Sequence, residues 1–295
     1  MIRILHLDTG RELRGGQRQI LLLMRGLRDS GIEQTLLARP AAPLLAEARA
    51  QGFNAHPISI ASIYSHSGSA QLAHCHDGRS HALAALASRC PILVSRRVAF
   101  PVGRGWLDRW KYRRAKAYLA VSEYATAQLI AAGVASDKIH IVRDGIIPPA
   151  SPSDRSAGIL VLQMDDPLKG GALLSAITTP VTLTRNLEEG LRTARIFLYL
   201  SQMEGLGSAV LLAMAYGVPV VASRVGGLPE IVRHGETGLC VGNGAEEIDD
   251  ALQSLLADPA RAQAMGRRAR DWVVSECHAD HVVRRTLEIY RELAR

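Results

Sequence analysis

The segment from Ser201 to Glu230 contains the residue types and spacings in this chain that most strongly indicate chemistry. It reads SQMEGLGSAVLLAMAYGVPVVASRVGGLPE: a Glu, a glycine-containing loop, an apolar run able to form a helix, an apolar strand and a second glycine turn. Loop amides and the positive end of a helix dipole attract phosphate, and a carboxylate accepts hydrogen bonds from sugar hydroxyls. The segment therefore predicts a site for a phosphorylated sugar. Its candidate contacts are Glu204, Gly205, Leu206, Gly207, Ser208, Gly226, Gly227 and Glu230.

This segment resembles the E-x7-E region of the retaining GT-B glycosyltransferases. That large family, glycosyl transferases group 1, includes mannosyltransferases and lipopolysaccharide-core glucosyltransferases. The resemblance is carried by EGLGS at Glu204, by GVPVVAS and by GGLPE, and more weakly by AVSEYATAQLIAAGV and KIHIVRDGI earlier in the chain. Eight residues after Glu204, where the family pattern has a second Glu, this chain has Leu212.

The resemblance implies a fold, a donor and a reaction. It implies two Rossmann-like domains that face a cleft, a nucleotide-diphospho-sugar as co-substrate, and transfer with retention and without a metal ion or other cofactor. Glu204 would contact the donor sugar, and the second Glu of the pattern would hold the ribose diol. Leu212 cannot accept that hydrogen bond, which in its charge-assisted form contributes roughly 1.5–3 kcal/mol. Because Leu212 lies one helical turn past Ser208, which we expect to cap the helix through Ala209–Ala215, we expect it to face the same ligand.

Two further residues take their roles from the resemblance. Lys169, in the turn Asp166-Pro-Leu-Lys-Gly170, matches the basic residue of the family's Lys-Gly turn and would offset charge on the departing diphosphate. Many relatives also have an Arg five residues earlier, where this chain has Met164. His76 matches the second His of an H-x-H-[DE] pattern at a strand end, where it would hydrogen-bond the donor sugar or assist deprotonation of the acceptor.

Three more clusters in the first half of the chain leave two readings open. Gly15 and Gly16 follow the first strand and either present amides to an anion or adopt the positive φ of a tight turn. The run His74–Asp77 contains metal-ligand residue types, but no second cluster completes four ligands, so we expect a sugar-contacting or structural His and no metal. Arg96 and Arg97 end a strand and either bind an anionic acceptor or are solvated.

The segment Arg104–Lys116, RGWLDRWKYRRAK, combines two tryptophans one helical turn apart with six basic residues. Such a segment can lie in a membrane interface with Trp106 and Trp110 inserted. Alternatively, the tryptophans lie in the core and the basic side chains extend to solvent. The sequence does not decide between these two placements.

Charge is distributed unevenly along the chain. The net charge is +7, but residues 1–148 carry 20 Lys and Arg against 10 Asp and Glu, whereas residues 149–295 carry 15 against 18. A basic first half fits an anionic membrane surface or an anionic lipid-linked acceptor. No nucleic-acid motif accompanies it, and an aromatic content of 4% offers few side chains for base stacking, so we expect no nucleic-acid partner.

The remaining composition predicts a soluble cytoplasmic protein, or one held peripherally at the inner face of the membrane. The four cysteines are far apart and form no CxxC pair, which argues against a disulfide framework or a zinc knuckle. No run of about 18 apolar residues occurs, and the start MIRILHLDTG lacks a long apolar segment with a cleavage site. Nothing in the composition indicates the oligomeric state.

Short apolar segments alternate with helical patterns, which predicts an α/β fold with parallel sheets covered on both faces. The expected strands are Ile2–Leu7, Thr35–Ala38, Ile92–Ser95, Tyr118–Val121, Ile139–Val142, Ile159–Leu162, Ile196–Leu200 and Val218–Ala222. The expected helices are Gln19–Leu27, Ala42–Gln51, His81–Ala87, Glu123–Ala132, Ala245–Leu256 and Ala279–Leu293.

A Pro- and Ser-rich stretch, Ile147–Gly158, indicates a linker between two domains. We therefore predict a GT-B arrangement with a Rossmann-like acceptor domain over 1–148, a reduced Rossmann-like donor domain over 149–278, and a terminal helix over 279–295 that crosses back to the first domain. The donor domain is expected to be reduced because only Gly170–Leu200 separates Lys169 from the segment at Glu204. A parallel strand needs a crossover of about a dozen residues, so this interval holds at most two crossovers.

The sequence thus predicts a glycosyltransferase that moves a sugar from a nucleotide-diphospho-sugar to a hydroxyl acceptor, a glycolipid or polysaccharide precursor of the cell envelope. Leu212, Met164 and the short second domain favour instead a degenerate homologue that binds a nucleotide sugar or a partner subunit without catalysis. A GT-B sugar-nucleotide epimerase is a third reading, although the aromatic and basic segment would have no role in it. The nucleotide base, the sugar and the acceptor are not determined by the sequence.

Overall fold

The computed structural model describes residues 2–103, 105–164, 166, 168 and 170–294. The chain divides into two compact units. The first unit contains Met1–Gly145 together with Ala279–Arg295, and the second contains Ile146–His278. Among the described residues, no helix is long and apolar enough to cross a membrane.

Seven parallel strands form the sheet of the first unit, in the order β3-β2-β1-β4-β5-β6-β7. The strands are β1 (Arg3–Asp8), β2 (Glu33–Ala38), β3 (Asn54–Pro57), β4 (Leu72–Cys75), β5 (Ile92–Arg96), β6 (Ala115–Ala120) and β7 (Ile139–Ile141). The helices are α1 (Gly15–Asp29), α2 (Pro43–Ala50), α3 (Ile60–Ser67), α4 (Gly78–Ala87), α5 (Trp106–Arg114), α6 (Glu123–Ala131) and, from the end of the chain, α13 (Ala279–Leu293).

The central strands of this sheet are buried because helices cover both faces of a parallel sheet. Every residue of β4 and β5 is buried. Helix α13 contributes its buried residues Leu287 and Tyr290 to the same core cluster as Ile4 of β1 and Leu27 of α1. The last helix of the chain therefore completes the core of the first unit.

Five parallel strands form the sheet of the second unit, in the order β12-β11-β10-β8-β9. The strands are β8 (Ile159–Leu162), β9 (Thr182–Thr184), β10 (Ile196–Tyr199), β11 (Val220–Ser223) and β12 (Gly238–Val241). The helices are α7 (Gly171–Leu174), α8 (Leu187–Leu191), α9 (Ser208–Ala215), α10 (Leu228–Ile231), α11 (Ala245–Ala257) and α12 (Pro259–Glu276).

The second unit is reduced on one side of its sheet, as the sequence predicted. In the first unit, β2 and β3 lie beyond the first strand, whereas in the described residues of the second unit one strand, β9, lies beyond β8. The interval Gly170–Leu200 holds two crossovers, through α7 and α8, which is the maximum that its length allows. The edge strand β9 has three residues, two of them exposed.

Candidate active site

In the second unit, Glu204 lies in the loop after strand β10. Its carboxylate accepts hydrogen bonds from the Tyr199 hydroxyl at 2.5 Å and from the Gly205 amide at 3.1 Å. Burial and the Glu204 carboxylate raise the pKa of Tyr199 well above its ordinary value, so the phenol keeps its proton and donates it to this hydrogen bond. The carboxylate of a half-buried Glu is thereby held in one orientation at the carboxyl ends of the parallel strands.

Two glycine turns bring the backbones of Glu204, Gly226 and Gly227 together. The Gly227 amide donates a hydrogen bond to the Glu204 carbonyl oxygen at 3.1 Å. Gly226 has a φ of 55°, and a Cβ at this position would collide with the same carbonyl oxygen. Only glycine satisfies both conditions at position 226, so Gly226 is required for the close packing of the two loops.

Helix α9 begins at Ser208, and its N-cap residue is Gly207, with a φ of 105°. The prediction that Ser208 caps this helix was wrong, since Ser208 is already the first helical residue and no side chain caps the helix. Backbone N–H groups in the first turn of a helix have no acceptor within the helix, and they carry the positive end of its dipole. The amides that follow Gly207 are therefore suited to an anion.

Leu206 was predicted to contact the phosphorylated sugar, and the structure limits that contact to its backbone. Its side chain is 1% exposed, because it packs into the core, so only its backbone is available to a ligand. Leu212, on α9, and Glu230, in the first turn of α10, are both half-buried and keep part of their side chains accessible.

The predicted cation of the donor site, Lys169, lies outside the described residues. Its neighbour Gly170 is described, and it is the N-cap of α7 with a φ of 75°. A Cβ at Gly170 would collide with the backbone of Leu200, one residue past the end of β10. Gly170 therefore packs against the end of the strand that leads to Glu204.

Three polar residues at the ends of β10, β11 and β12 form a hydrogen-bonded group that the sequence analysis did not include. The Ser223 hydroxyl accepts from the Ser201 amide at 3.0 Å and donates to the Asn243 side-chain oxygen at 2.6 Å. The Asn243 amide donates to the Ser201 carbonyl oxygen at 3.2 Å. Ligands of open α/β sheets bind at the carboxyl ends of the strands. The sequence could have indicated these three residues as candidate site residues, because each polar residue comes at or just after the end of an apolar strand.

Tyr199→Phe tests whether the orientation of Glu204 matters. In the sugar transfer predicted from the sequence, we expect kcat/KM to fall about tenfold or more, because the variant deletes a hydrogen bond to a carboxylate, which contributes about 1.5–3 kcal/mol. Initial rates at varied donor concentration measure the effect. Tyr216→Phe, at the other end of α9, is the matched control, and an equal loss in both variants would contradict a specific role for Tyr199.

In the first unit, Gly15 and Gly16 form the first turn of α1, not the loop that the sequence predicted. Neither glycine has a positive φ, which excludes the tight-turn reading. Glycine disfavours helix interiors, so the sequence pattern placed the start of this helix at Gln19, four residues too late. The amides of both glycines lie instead at the positive end of a 15-residue helix.

His76 follows β4 directly and is buried in a cluster with His74 and His6. The ring centroid of His76 is 4.0 Å from that of His74 and 5.3 Å from that of His6. Burial lowers the pKa of His74 and of His76 well below the ordinary value, and it lowers the pKa of His6 to about 4. All three rings are therefore neutral near pH 7.

One ring nitrogen from each of these histidines lies within 4.8 Å of the others, and neutral imidazoles are zinc ligands. The neighbouring groups nevertheless favour a hydrogen-bonded cluster. His74 contacts the Tyr290 hydroxyl at 2.5 Å and the Ser95 hydroxyl at 2.7 Å. The Arg97 guanidinium lies 3.2 Å from His76 Nδ1, and its positive charge opposes a cation at this position.

Arg96 and Arg97 are not solvated, so that reading was wrong. Arg96 is buried and donates to the carbonyl oxygen of Phe100. The Arg97 side chain is 14% exposed, and its Nε donates to Asp144 Oδ1 at 3.1 Å. A buried charge needs a partner of opposite sign, and Asp144 is that partner for Arg97.

Asp8, the last residue of β1, is a candidate site residue that the sequence analysis did not identify. It is buried, and its carboxylate accepts from the Gly10 amide at 2.8 Å and from the Gln17 side chain at 3.2 Å. Burial, and to a smaller extent the nearby Asp77 carboxylate, raise the pKa of Asp8 to about 6. The sequence could have indicated Asp8, because an acidic residue at the carboxyl end of an apolar strand lies where ligands of α/β sheets bind.

Trp106 and Trp110 lie on α5, a helix without buried residues. Their exposed fractions are 76% and 40%, which excludes the reading that they are core residues. Leu107 and the preceding Phe100 are also exposed. Helix α5 and Phe100 therefore present apolar side chains to solvent, and the last turn of α5 carries the basic residues Lys111 and Arg113.

The fold and the loops described above define a GT-B protein with two Rossmann-like units. The profile described as Glycosyltransferase Family 4 matches residues 13–148, and the profile described as Glycosyl transferases group 1 matches residues 177–272. The chain belongs to this family of glycosyltransferases, as the resemblance of its second half indicated.

Two curated relatives and one solved structure illustrate the similarity. Alpha-maltose-1-phosphate synthase of Mycolicibacterium smegmatis is 40% identical over 118 residues, which are 38% of this chain and 30% of that protein. A GDP-mannose-dependent alpha-(1-6)-phosphatidylinositol monomannoside mannosyltransferase of Mycobacterium tuberculosis is 42% identical over 90 residues, 30% of this chain and 23% of that protein. The matched part thus spans less than a third of either relative. HepE of Anabaena, solved with UDP-glucose, has a TM-score of 0.86 at 16% identity over 99% of this chain and 100% of that chain, a likeness of fold.

Proposed function

We propose that this chain transfers a sugar from a nucleotide-diphospho-sugar to a hydroxyl acceptor. The observation that carries the proposal is the loop at Glu204, where a carboxylate held by Tyr199 and Gly205 precedes the uncapped start of α9. A carboxylate suits sugar hydroxyls, and helix N-terminal amides suit a diphosphate. Membership of the family supports the proposal, as does the UDP-glucose bound to HepE, a protein with the same fold.

The reaction we propose is a front-face displacement with retention. The bond between the anomeric carbon and the diphosphate oxygen breaks, the acceptor oxygen forms the new bond on the same face, and the acceptor proton passes to the departing diphosphate. Glu204 orients the sugar, while the first-turn amides of α9 and Lys169 offset the charge that develops on the diphosphate. The mechanism needs no carboxylate nucleophile, and the donor is a co-substrate of the reaction.

For the acceptor we propose a lipid-linked or polysaccharide precursor. The support is the basic first half of the chain and the exposed aromatic and basic helix α5. The mycobacterial relative whose name specifies a phosphatidylinositol monomannoside as acceptor points to the same class of molecule. On this proposal the protein works at the inner face of a membrane without crossing it.

A non-catalytic homologue is the second candidate, and two observations favour it. Leu212 replaces the second Glu of the family pattern, and the described part of the second unit has one strand, β9, beyond β8. A thermal-shift screen against a panel of nucleotide sugars should first identify the donor. Turnover of that donor with and without acceptor then decides: a transferase needs the acceptor, an epimerase changes the donor alone, and a binding protein does neither.

Leu212→Glu tests whether the ribose is bound as in the family. The side chain is half-buried on α9, one turn after Ser208. If the scaffold still presents this position to a ribose, the restored carboxylate should tighten donor binding up to about tenfold, or about 1.4 kcal/mol. Calorimetric titration with the donor measures it, and Leu212→Gln is the uncharged control. Weaker binding in Leu212→Glu would show that the pocket is built around an apolar group.

A further inference from the structure

Five side chains in the first unit form one continuous chain of hydrogen bonds. Asp144 accepts from Arg97 Nε at 3.1 Å, and Arg97 Nη1 lies 3.2 Å from His76 Nδ1. His76 Nε2 lies 3.0 Å from His6 Nδ1. His6 Nε2 then lies 3.1 Å from Gln34 Oε1, and the Gln34 amide donates to the Met24 carbonyl oxygen at 2.9 Å.

The chemistry of Arg97 fixes the direction of every bond in this chain. A guanidinium has N–H groups only and cannot accept, so His76 Nδ1 must be the acceptor. In a neutral imidazole the other nitrogen then carries the proton, so His76 Nε2–H donates to His6 Nδ1. The same reasoning places a proton on His6 Nε2, which donates to Gln34 Oε1.

Both ring nitrogens of His76 are therefore occupied inside the protein. Burial keeps the ring neutral, since it lowers the pKa of His76 well below its ordinary value. An acceptor hydroxyl can give a proton to His76 only if the bond from Arg97 breaks. Arg97 in turn is held by Asp144, whose side chain is 10% exposed.

We propose that Arg97 is a positioning residue, which together with His6 fixes His76 as the neutral Nε2–H tautomer. His76 is then held with both ring nitrogens in hydrogen bonds inside the protein and does not act as the base of the reaction. This inference rests on the proposed function only in what it says about that base. Two N–H groups of the Arg97 guanidinium, on Nε and Nη1, are used in the hydrogen bonds to Asp144 and His76.

The tautomer is measurable in the unaltered protein without any substrate. Nitrogen NMR of the full chain labelled with 15N-histidine distinguishes a protonated from an unprotonated ring nitrogen, and His6→Gln and His76→Gln assign the signals. We expect Nε2–H and a bare Nδ1 for both residues at pH 7. An Nδ1–H tautomer or an imidazolium at His76 would overturn the proposal. So would a shift of these nitrogens on addition of one equivalent of zinc, because it would identify the cluster as a metal site.

A pair of variants tests the role of Arg97. Arg97→Met with Asp144→Asn removes the donor without leaving a buried carboxylate unpaired. We expect His76 to populate both tautomers in this variant, and kcat to fall about tenfold with the affinity for the nucleoside diphosphate of the identified donor unchanged. Arg97→Lys keeps a positively charged donor without an acceptor beside Asp144 and should keep the single tautomer. An unaltered His76 signal in the double variant, or two tautomers in Arg97→Lys, would refute the positioning role. Absence of transfer by the parent would instead refute the proposed function and leave the tautomer result standing.

Discussion

Glu204→Ala is expected to lower the kcat/KM for sugar transfer by about 10- to 150-fold while the protein stays folded. The carboxylate is held by Tyr199 and Gly205, and a hydrogen bond to a charged group contributes about 1.5–3 kcal/mol. In the proposed reaction this carboxylate orients the sugar as the diphosphate leaves, so its loss should appear in kcat as well as in KM. Initial rates with the identified donor measure the effect, and circular dichroism confirms folding.

Two companion variants make this result specific. Glu204→Gln keeps the shape of the side chain and removes its charge, so it should lie between the parent and Glu204→Ala. The double variant Glu204→Ala with Tyr199→Phe should lose little more than Glu204→Ala alone, because Tyr199 acts through that carboxylate. If Glu204→Ala leaves kcat/KM unchanged, Glu204 is not part of the site. If the two losses multiply, Tyr199 acts independently of Glu204.

The fold was predictable where a strand is buried on both faces. Strand β8, Ile159–Leu162, was predicted with its observed bounds because its four consecutive residues are all apolar. Strand β3, Asn54–Pro57, escaped prediction because its sequence NAHP carries no apolar run, and its pairing with β2 places it at the edge of the sheet. Helix α5 was anticipated only through its two tryptophans one helical turn apart, since a helix with no buried residue has no apolar periodicity to detect.

Residues of the candidate site that lie in one loop could be predicted from the sequence, whereas contacts between residues on distant strands could not. Glu204, Gly205 and Gly207 are close in sequence, so their spacing was visible. The hydrogen bond between His6 and His76 joins residues 70 positions apart. It depends on the pairing of β1 with β4, which sets His6 opposite His74, and one sequence does not reveal a register. Arg97 was misread for the same reason, since its partner Asp144 is 47 positions away.

Replacing Trp106 and Trp110 with Ser is expected to abolish binding to anionic vesicles without unfolding the protein. Both tryptophans are exposed, with Leu107 beside them, and no residue of α5 is buried, so the replacement removes little folding energy. At about 25 cal/mol per Å², roughly 100 Å² of ring surface leaving water contributes about 2.5 kcal/mol for each Trp. The two contributions add to about 5 kcal/mol, so binding should weaken by more than about a thousandfold.

The salt concentration and the lipid composition of the vesicles distinguish electrostatic membrane binding from other reasons for sedimentation. Each Lys or Arg near an anionic surface contributes about 1 kcal/mol, and the screening length falls from about 10 Å at 0.1 M salt to about 3 Å at 1 M. The parent should sediment with vesicles that contain phosphatidylserine, less so at high salt and not with phosphatidylcholine alone. Tyr64→Ser with Ile130→Ser, which removes two other exposed apolar side chains of the first unit, should bind as the parent does. A parent that ignores all vesicles would leave α5 without a membrane role, and a soluble acceptor would then be the better proposal, because the exposed tryptophans are the main structural support for a lipid-linked one.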